Sequence, residues 1–308
     1  MRELTESTDL LPDWPAVRAR LAVDGYVYFR RLVPSADVAT VRGLIATVLA
    51  DCRWLAPGTD PGQLVASEHA VGEGEKGFHG MYTAVQMRQE VHEFAVSPPL
   101  LALAGGVLGE LVFCHPMHIF RISPPVSQAT STAAHQDYRL IQGSADTLTM
   151  WIPLADTPAA AGGLRVLAGS HRLGVLPVRQ HDGPGGQALD VADDDPRWRS
   201  TTFTAGDVLM FSSLTAHAAV ANLSDRFRLS ADFRYQAVTD PVAHRPDGFV
   251  PHYYPAVPHW RTLTRGWTST RSVEVPAGLA EMERFDYHAP DVPTPPSRFV
   301  TASGASQA

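Results

Sequence analysis

From residue 111 onward the chain becomes a series of short segments in which apolar and polar residues alternate. They include LVFCHPMHIFRIS, DTLTMWIPLADT, LRVLAGSH, GDVLMFSSLTAHAAVANLS and DRFRLSADFRYQ, separated by clusters of Gly, Pro, Asn and Asp. Alternation with a period of two puts successive side chains on opposite faces of a strand, and frequent turn residues fold such strands back on one another. The expected architecture is mainly β with flanking helices, a jelly-roll or cupin-like barrel over about 111–240.

The preceding residues have a different texture. WPAVRARLAVDG and SADVATVRGLIATVLADC carry apolar residues at helical spacing (Val38, Val41, Ile45, Val48, Leu49), and Ser35 is the expected N-cap. They flank a short strand, YVYFRRLV, and further helices are expected around TAVQMRQEVHEFAVS and PPLLALAGGVLG, making a helical preface over about 14–110. Residues 56–80, rich in Gly, Pro and charge without a sustained period, read as a long loop of the lid or binding kind. The aromatic stretch GFVPHYYPAVPHWRTLTRGW suggests a substrate or lid segment over about 241–289, and 290–308 lose their hydrophobic content, as a flexible tail would. A length of 308 residues is compatible with one large β-rich domain, and no repeat or domain boundary is visible, so one domain over 1–308 is expected.

Charge and cysteine content narrow the function classes. The formal charge is −7, Lys76 is the only lysine, and no run of basic residues exists, which disfavours nucleic acid and anionic membranes as partners. No apolar stretch suggests a membrane span. Cys52 and Cys114 make no disulfide framework, and the acidic, proline-containing start MRELTESTDLLPDWP does not read as a signal peptide, so a cytoplasmic setting is expected.

The chemistry is carried by STAAHQDYRLIQG. On a strand His135 and Asp137 would share a face while Gln136 looks away, so the two could chelate one ion. A third ligand has to come from a neighbouring strand, and His217 in LTAHAAVANLSD is the best-placed histidine. After it the chain can turn at ANLSD into a return strand on which Arg226, Arg228, Ser230 and Asp232 alternate with Phe227, Leu229 and Phe233.

The order HQD (135–137), W-x-P-L-x-D-T (151–157), GGLRVLAGSH (162–171), GDVLMFSSLTAH (206–217) and N-x5-R (Asn222 to Arg228) resembles the phytanoyl-CoA dioxygenase family, iron(II)- and 2-oxoglutarate-dependent oxygenases built on a double-stranded β-helix. The resemblance covers roughly residues 14–240. It implies that His135, Asp137 and His217 hold Fe(II) on one face, leaving three positions for 2-oxoglutarate and O2. It further implies that Arg228, rather than its neighbour Arg226, grips the far carboxylate of 2-oxoglutarate with its two-donor fork, and that Trp151 and Thr149 line the cosubstrate pocket. Some members carry a hydroxyl two residues beyond the distal histidine where this chain has Ala219. Relatives that halogenate lack the carboxylate, so Asp137 favours hydroxylation, while desaturation, cyclisation and epimerisation use the same ligands. For the primary substrate, a functionalised small molecule of natural-product type, the candidates are Tyr138 and Gln142 directly after the ligands, Phe78, His79 and Met81 at the end of the long loop, and His118 as a wall residue. A non-oxidising jelly-roll protein with a structural metal, and an oxygen-independent isomerase or hydrolase, are the readings from other classes.

Overall fold

The computed structural model describes residues 1–125, 132–181, 187–252, 257–287, 289 and 292–300. Helices α1 (Trp14–Asp24), α2 (Ser35–Asp51), α3 (Phe78–Gln86), α4 (Gln89–Glu93) and α5 (Pro98–Leu108) precede the barrel, α6 (Asp137–Ile141) lies within it and α7 (Trp260–Leu263) follows it. The strands are β1 (Arg2–Glu3), β2 (Tyr26–Phe29), β3 (Val112–Cys114), β4 (Ile119–Ser123), β5 (Leu148–Pro153), β6 (Leu164–Leu167) and β7 (Val178–Gln180). They continue with β8 (Gln187–Leu189), β9 (Trp198–Ser200), β10 (Val208–Ser212), β11 (His217–Ala219), β12 (Arg228–Ala237), β13 (Val242–Ala243) and β14 (Glu281–Met282).

The strands make a six-stranded sheet in the order β2-β10-β5-β12-β3, with β4 also on β12, and a four-stranded sheet in the order β1-β9-β6-β11. Strands β2, β5, β10 and β12 are buried along their whole length because both faces of the large sheet are covered. One face, with Val27, Phe29, Met150, Ile152, Met210, Leu229 and Phe233, packs against the helices in the largest core cluster, which runs from Val17 to Phe299. The opposite face turns toward the small sheet, where Tyr26, Tyr28, Trp151, Leu209 and Phe211 meet Leu164 and Val166. Polar residues can therefore sit on a buried face only within the space between the sheets, and that is where those of β12 go.

The expected jelly-roll architecture is observed, with local corrections. Helix α2 starts at Ser35 itself, its N-cap position being Pro34 with no side-chain bond, so Ser35 does not cap it. A preceding proline fixes the entry to the helix without an acceptor. The 56–80 stretch is mostly loop, but it contains a 3-10 turn at Pro61–Gln63 and ends in α3 at Phe78. Gln89–Leu108 is a 20-residue helical stretch long and apolar enough to cross a membrane by composition (mean hydropathy 1.4), contrary to the expectation that no such stretch exists. Half of that window is buried here, and Leu100, Leu103, Ala104 and Val107 belong to the main core.

The C-terminal segment departs most from expectation. Residues 292–300 are docked rather than loose: Phe299 is 2% exposed within the main core. Ahead of it, Arg298 contacts Asp146 (2.8 Å), Glu110 (2.9 Å) and Asp240 (2.7 Å). A tail of low hydrophobicity is anchored by one aromatic and one multiply paired arginine, a pattern that composition averages conceal. The remainder of the expected tail lies outside the described residues.

Candidate metal centre

His135 and His217 face each other across an isolated antiparallel bridge, each backbone N–H donating to the other's carbonyl at 3.0 Å. This bridge sets the two imidazoles side by side, with ring centroids 4.1 Å apart, at the edge of the small sheet. His135 Nδ1 lies 2.8 Å from the Ala133 carbonyl and His217 Nδ1 lies 3.0 Å from the Thr215 carbonyl. A carbonyl only accepts, so each Nδ1 carries the proton and each Nε2 is left as a lone-pair donor, the form a metal requires. Burial lowers the pKa of both rings, His135 to about 3 with further help from the neighbouring His217, which keeps them neutral and ready to ligate.

Asp137 reaches the same point from a different backbone. The strand expected to carry both ligands stops short: Gln136 is extended (φ −117°, ψ 130°), but Asp137 begins α6. The i, i+2 relationship holds because only the intervening residue has to be extended. Asp137 Oδ1 lies 3.8 Å from Nε2 of both histidines, and one ligand atom from each residue falls within 4.8 Å of the others. Two metal bonds of about 2.1 Å span up to about 4.2 Å, so a single ion fits between the carboxylate and either ring. Two neutral imidazoles and one carboxylate form a donor set suited to Fe(II).

The orientation of Asp137 is set by Arg234, which no sequence motif singled out, and by Thr149, expected in the cosubstrate pocket but bonded to the carboxylate itself. Arg234 donates from Nη2 to Oδ1 and Oδ2 (both 3.1 Å) and from Nε to Oδ2 (3.2 Å), and Thr149 Oγ1 donates to Oδ2 at 2.6 Å. Burial alone would raise the pKa of this carboxyl, but the Arg234 guanidinium and the two imidazoles hold it well below the usual carboxylate range. The ligand is thus a carboxylate whose Oδ2 is occupied and whose Oδ1 faces the histidines.

Strand register builds the pocket next to this point. On the inner face, Arg228 pairs with Ser123, Ser230 with Arg121, Asp232 with Trp151 and Arg234 with Thr149. All eight line one pocket that also receives His135, His217, Ala219 and Glu73. Arg228 is 7% exposed; it donates from Nη1 to Val220 O (2.6 Å) and from Nη2 to Ser123 Oγ (3.0 Å), while its Nε has no partner. Burial lowers its pKa only to about 10, so it stays cationic. Arg226 lies outside β12 and, half exposed, bonds the Gln63 carbonyl, which removes it from the pocket. Gly162, at φ +63°, lets the chain pass close to Val220 and Ala221, where an added Cβ would stand 2.4 Å from the Ala221 carbonyl.

A second cavity also reaches His135 and Asp137, lined by Ile119, Arg121, Leu140, Gln187, Arg234 and Tyr287 among others. The expected substrate residues lie elsewhere. Tyr138 packs with Ala145, Leu214 and Phe285. The Gln142 amide bonds the Arg139 carbonyl and both backbone groups of Phe285, tying α6 to the C-terminal segment. Phe78 and Met81 are buried in the main core, and His79 on α3 lines neither cavity. His118 is fully buried in a chain of contacts, Nδ1 to His92 Nδ1 (2.9 Å) and Nε2 to Cys114 Sγ (3.5 Å). Trp260 and Trp267 pack on His92, whereas Tyr253 is outside the described residues. What the loop and the C-terminal segment do supply is Glu73 and Tyr287, each isolated in sequence from any motif.

The sequence profile described as phytanoyl-CoA dioxygenase (PhyH) matches residues 21–230. No curated protein sequence matches the chain. Among solved structures, the epimerase SnoN, crystallised with Fe3+, alpha ketoglutarate and nogalamycin RO, is similar at 22% identity over 75% of this chain and 86% of that one (TM-score 0.53). The alpha ketoglutarate dependent carbocyclase SnoK from nogalamycin biosynthesis matches at 22% identity over 81% and 91% (TM-score 0.53). EctD from S. alaskensis matches at 19% over 92% and 90% (TM-score 0.53). Identities this low speak for the fold.

Proposed function

Because the chain belongs to the phytanoyl-CoA dioxygenase family of iron(II)- and 2-oxoglutarate-dependent oxygenases, we propose that it hydroxylates an unactivated carbon of a functionalised small molecule, with 2-oxoglutarate converted to succinate and CO2. The observation that carries this reading is the convergence of His135, Asp137 and His217 at one end of a pocket that has buried Arg228 among its walls.

O2 is the oxidant, one of its oxygen atoms ending in succinate and the other in the new hydroxyl group, and iron, when bound, would supply the redox chemistry that couples the decarboxylation to cleavage of the C–H bond. The chain's own contribution is positional. His135 and His217 present Nε2, and Asp137 presents Oδ1, to one side of the ion. Arg228 holds the far carboxylate of the cosubstrate in a water-poor pocket, where a charge-assisted bond is strong. Trp151 and Phe211 wall that pocket, and Phe211 stacks obliquely on His217 at 4.5 Å. The primary substrate enters through the cavity of Ile119, Leu140 and Tyr287, whose mixed apolar and polar lining fits a ring system carrying polar groups. Asp137 fills the third protein position on the metal, which favours hydroxylation over halogenation. SnoN and SnoK, an epimerase and a carbocyclase, share the fold, so product analysis is the step that fixes the outcome. Free Cys52 and Cys114 suit the cytoplasmic setting expected from the sequence.

Anaerobic addition of Fe(II) and then 2-oxoglutarate is expected to raise a weak visible charge-transfer band that His135→Ala abolishes. A wild-type protein without the band, or a His135→Ala protein that keeps it, refutes the assignment.

A further inference from the structure

Helix α6, which begins at the ligand Asp137, is fastened to the C-terminal segment by side chains that touch neither the metal ligands nor the core. Arg139 is 2% exposed, and its hydrogen bonds all end on backbone carbonyls. Nε and Nη2 donate to Leu176 O (3.1 and 2.9 Å), while Nη1 donates to Tyr287 O (3.2 Å) and Ala289 O (3.0 Å). Gln142 Nε2 donates to Phe285 O (3.1 Å), its Oε1 accepts from Phe285 N–H (3.0 Å), and Arg284 Nη2 donates to Leu140 O (3.2 Å). The ring of Tyr138 adds a contact to Phe285 at 5.9 Å.

Two of these features are unfavourable by themselves. A guanidinium taken out of water and met only by carbonyls is costly, and Gln142 sits at φ +57°, ψ −166°, a strained backbone for a residue with a side chain. Anchoring the C-terminus does not require them, because Phe299 in the core and Arg298 with its three carboxylates already do so. What they fix is the place of Tyr287, which with Leu140 of α6 lines the cavity that reaches His135 and Asp137. Burial raises the pKa of its phenol, Arg139 lowers it and the Asp137 carboxylate raises it again, so the hydroxyl stays un-ionised.

We propose that Tyr287 is a specificity-determining residue that meets the primary substrate beside the metal centre, and that Arg139 and Gln142 are positioning residues that hold it there. This rests on the proposed function. It makes the short helix after Asp137 a brace between the metal ligand and the substrate wall.

Without a primary substrate, a side chain in that place is itself the group to be oxidised. One oxygen atom of O2 enters succinate as 2-oxoglutarate loses CO2, and the other is inserted into a ring C–H bond of Tyr287 as a hydroxyl group. The Fe(II)-loaded wild type incubated in air with 2-oxoglutarate alone is expected to gain one oxygen atom on Tyr287, located by peptide mass spectrometry. Gln142→Gly, in which glycine suits the positive φ, and Arg139→Met are expected to lower ring hydroxylation per succinate by about tenfold or more. In the metal-free protein the same variants are expected to speed amide hydrogen exchange over residues 285–287 about tenfold, with residues 292–300 exchanging as in wild type. Succinate formed without oxygen on Tyr287, or with oxygen only on other residues, overturns the assignment of Tyr287. Unchanged exchange over 285–287, an equal rise over 292–300, or wild-type hydroxylation per succinate in both variants overturns the positioning role. A wild type that gives neither succinate nor the charge-transfer band overturns the iron and 2-oxoglutarate reading instead.

Discussion

The Arg234 guanidinium grips the Asp137 carboxylate with three hydrogen bonds of 3.1 to 3.2 Å, and both side chains are 2% exposed. The pair joins the two halves of the barrel: Asp137 follows the segment bridged to the small sheet, and Arg234 stands on the large one. Oδ2 accepts from Thr149 and twice from Arg234, against one bond to Oδ1, so Oδ1 is the oxygen that would hold a metal. A carboxylate free to bind through both oxygens would take a second position that the cosubstrate and O2 need.

Arg234→Leu is therefore expected to weaken metal binding by about 10- to 100-fold, the usual cost of removing a group that orients a ligand. Anaerobic Co(II) titration reads this directly. Leaving Asp137 buried and unpaired also lowers the stability of the metal-free protein by about 3 to 5 kcal/mol, measurable by urea unfolding. Arg234→Lys keeps the charge but loses the fork, so it recovers stability more fully than metal affinity.

Thr149→Val keeps the shape of the strand residue and removes only the 2.6 Å bond to Asp137. It costs about 1.5 to 3 kcal/mol, the range for a hydrogen bond to a charged group. Thermal unfolding of the metal-free protein measures the cost, and a loss below the experimental error would show that Arg234 alone positions the carboxylate.

Phe299→Ala tests the docked C-terminus. A buried phenylalanine truncated to alanine costs about 3 to 5 kcal/mol, whereas removing a loose tail costs nothing. Arg298→Ala removes contacts to Asp146, Glu110 and Asp240, but the arginine is about one-third exposed. It is expected to cost less, about 1 kcal/mol. Denaturant midpoints of the two variants should preserve that order.

Stability should fall on mild acidification through His92. Burial pushes its pKa from the ordinary 6.5 down to about 4, and its Nε2–H donates to the Gln86 carbonyl at 2.9 Å. In the unfolded chain the ring takes up a proton near pH 6.5, so between about 6.5 and 4 the unfolded state binds more protons and stability rises with pH. The His92 contribution is complete above about pH 6.5 and is lost as the pH drops toward 4, amounting to about 3 kcal/mol. Melting temperatures from pH 7.5 to 4.5 should show this slope, and His92→Phe should make it shallower by the His92 share only, because burial also lowers the pKa of His115, His135 and His171, which keep contributing.

Much of the site is legible in the sequence. His135, Asp137 and His217 are legible as candidates from their spacing and as a set from the family resemblance, and Arg228 is preferred to Arg226 because it matches the family position after the distal histidine. The same alternation continued along LSADFR leads from Arg228 through Ser230 and Asp232 to Arg234, and IFRIS places Arg121 and Ser123 on one face. Those were available signals, but alternation gives two faces without saying which is inside. Tyr138 and Gln142 are adjacent to a ligand in sequence but line neither cavity. The α6 turn that starts at Asp137 carries them instead toward Phe285.

By itself the sequence determined the strand-rich core, the helical preface and the identities of the groups able to hold a metal, because period and residue chemistry are local properties. Only the tertiary structure decided which residues serve those groups. Pairing β12 with β4 and β5 sets Ser230 beside Arg121 and Arg234 beside Thr149, and the His135–His217 bridge brings Asp137 between the sheets. Register and sheet packing join residues far apart in the chain, and a buried charge such as Arg234 is settled by the partner that burial forces on it.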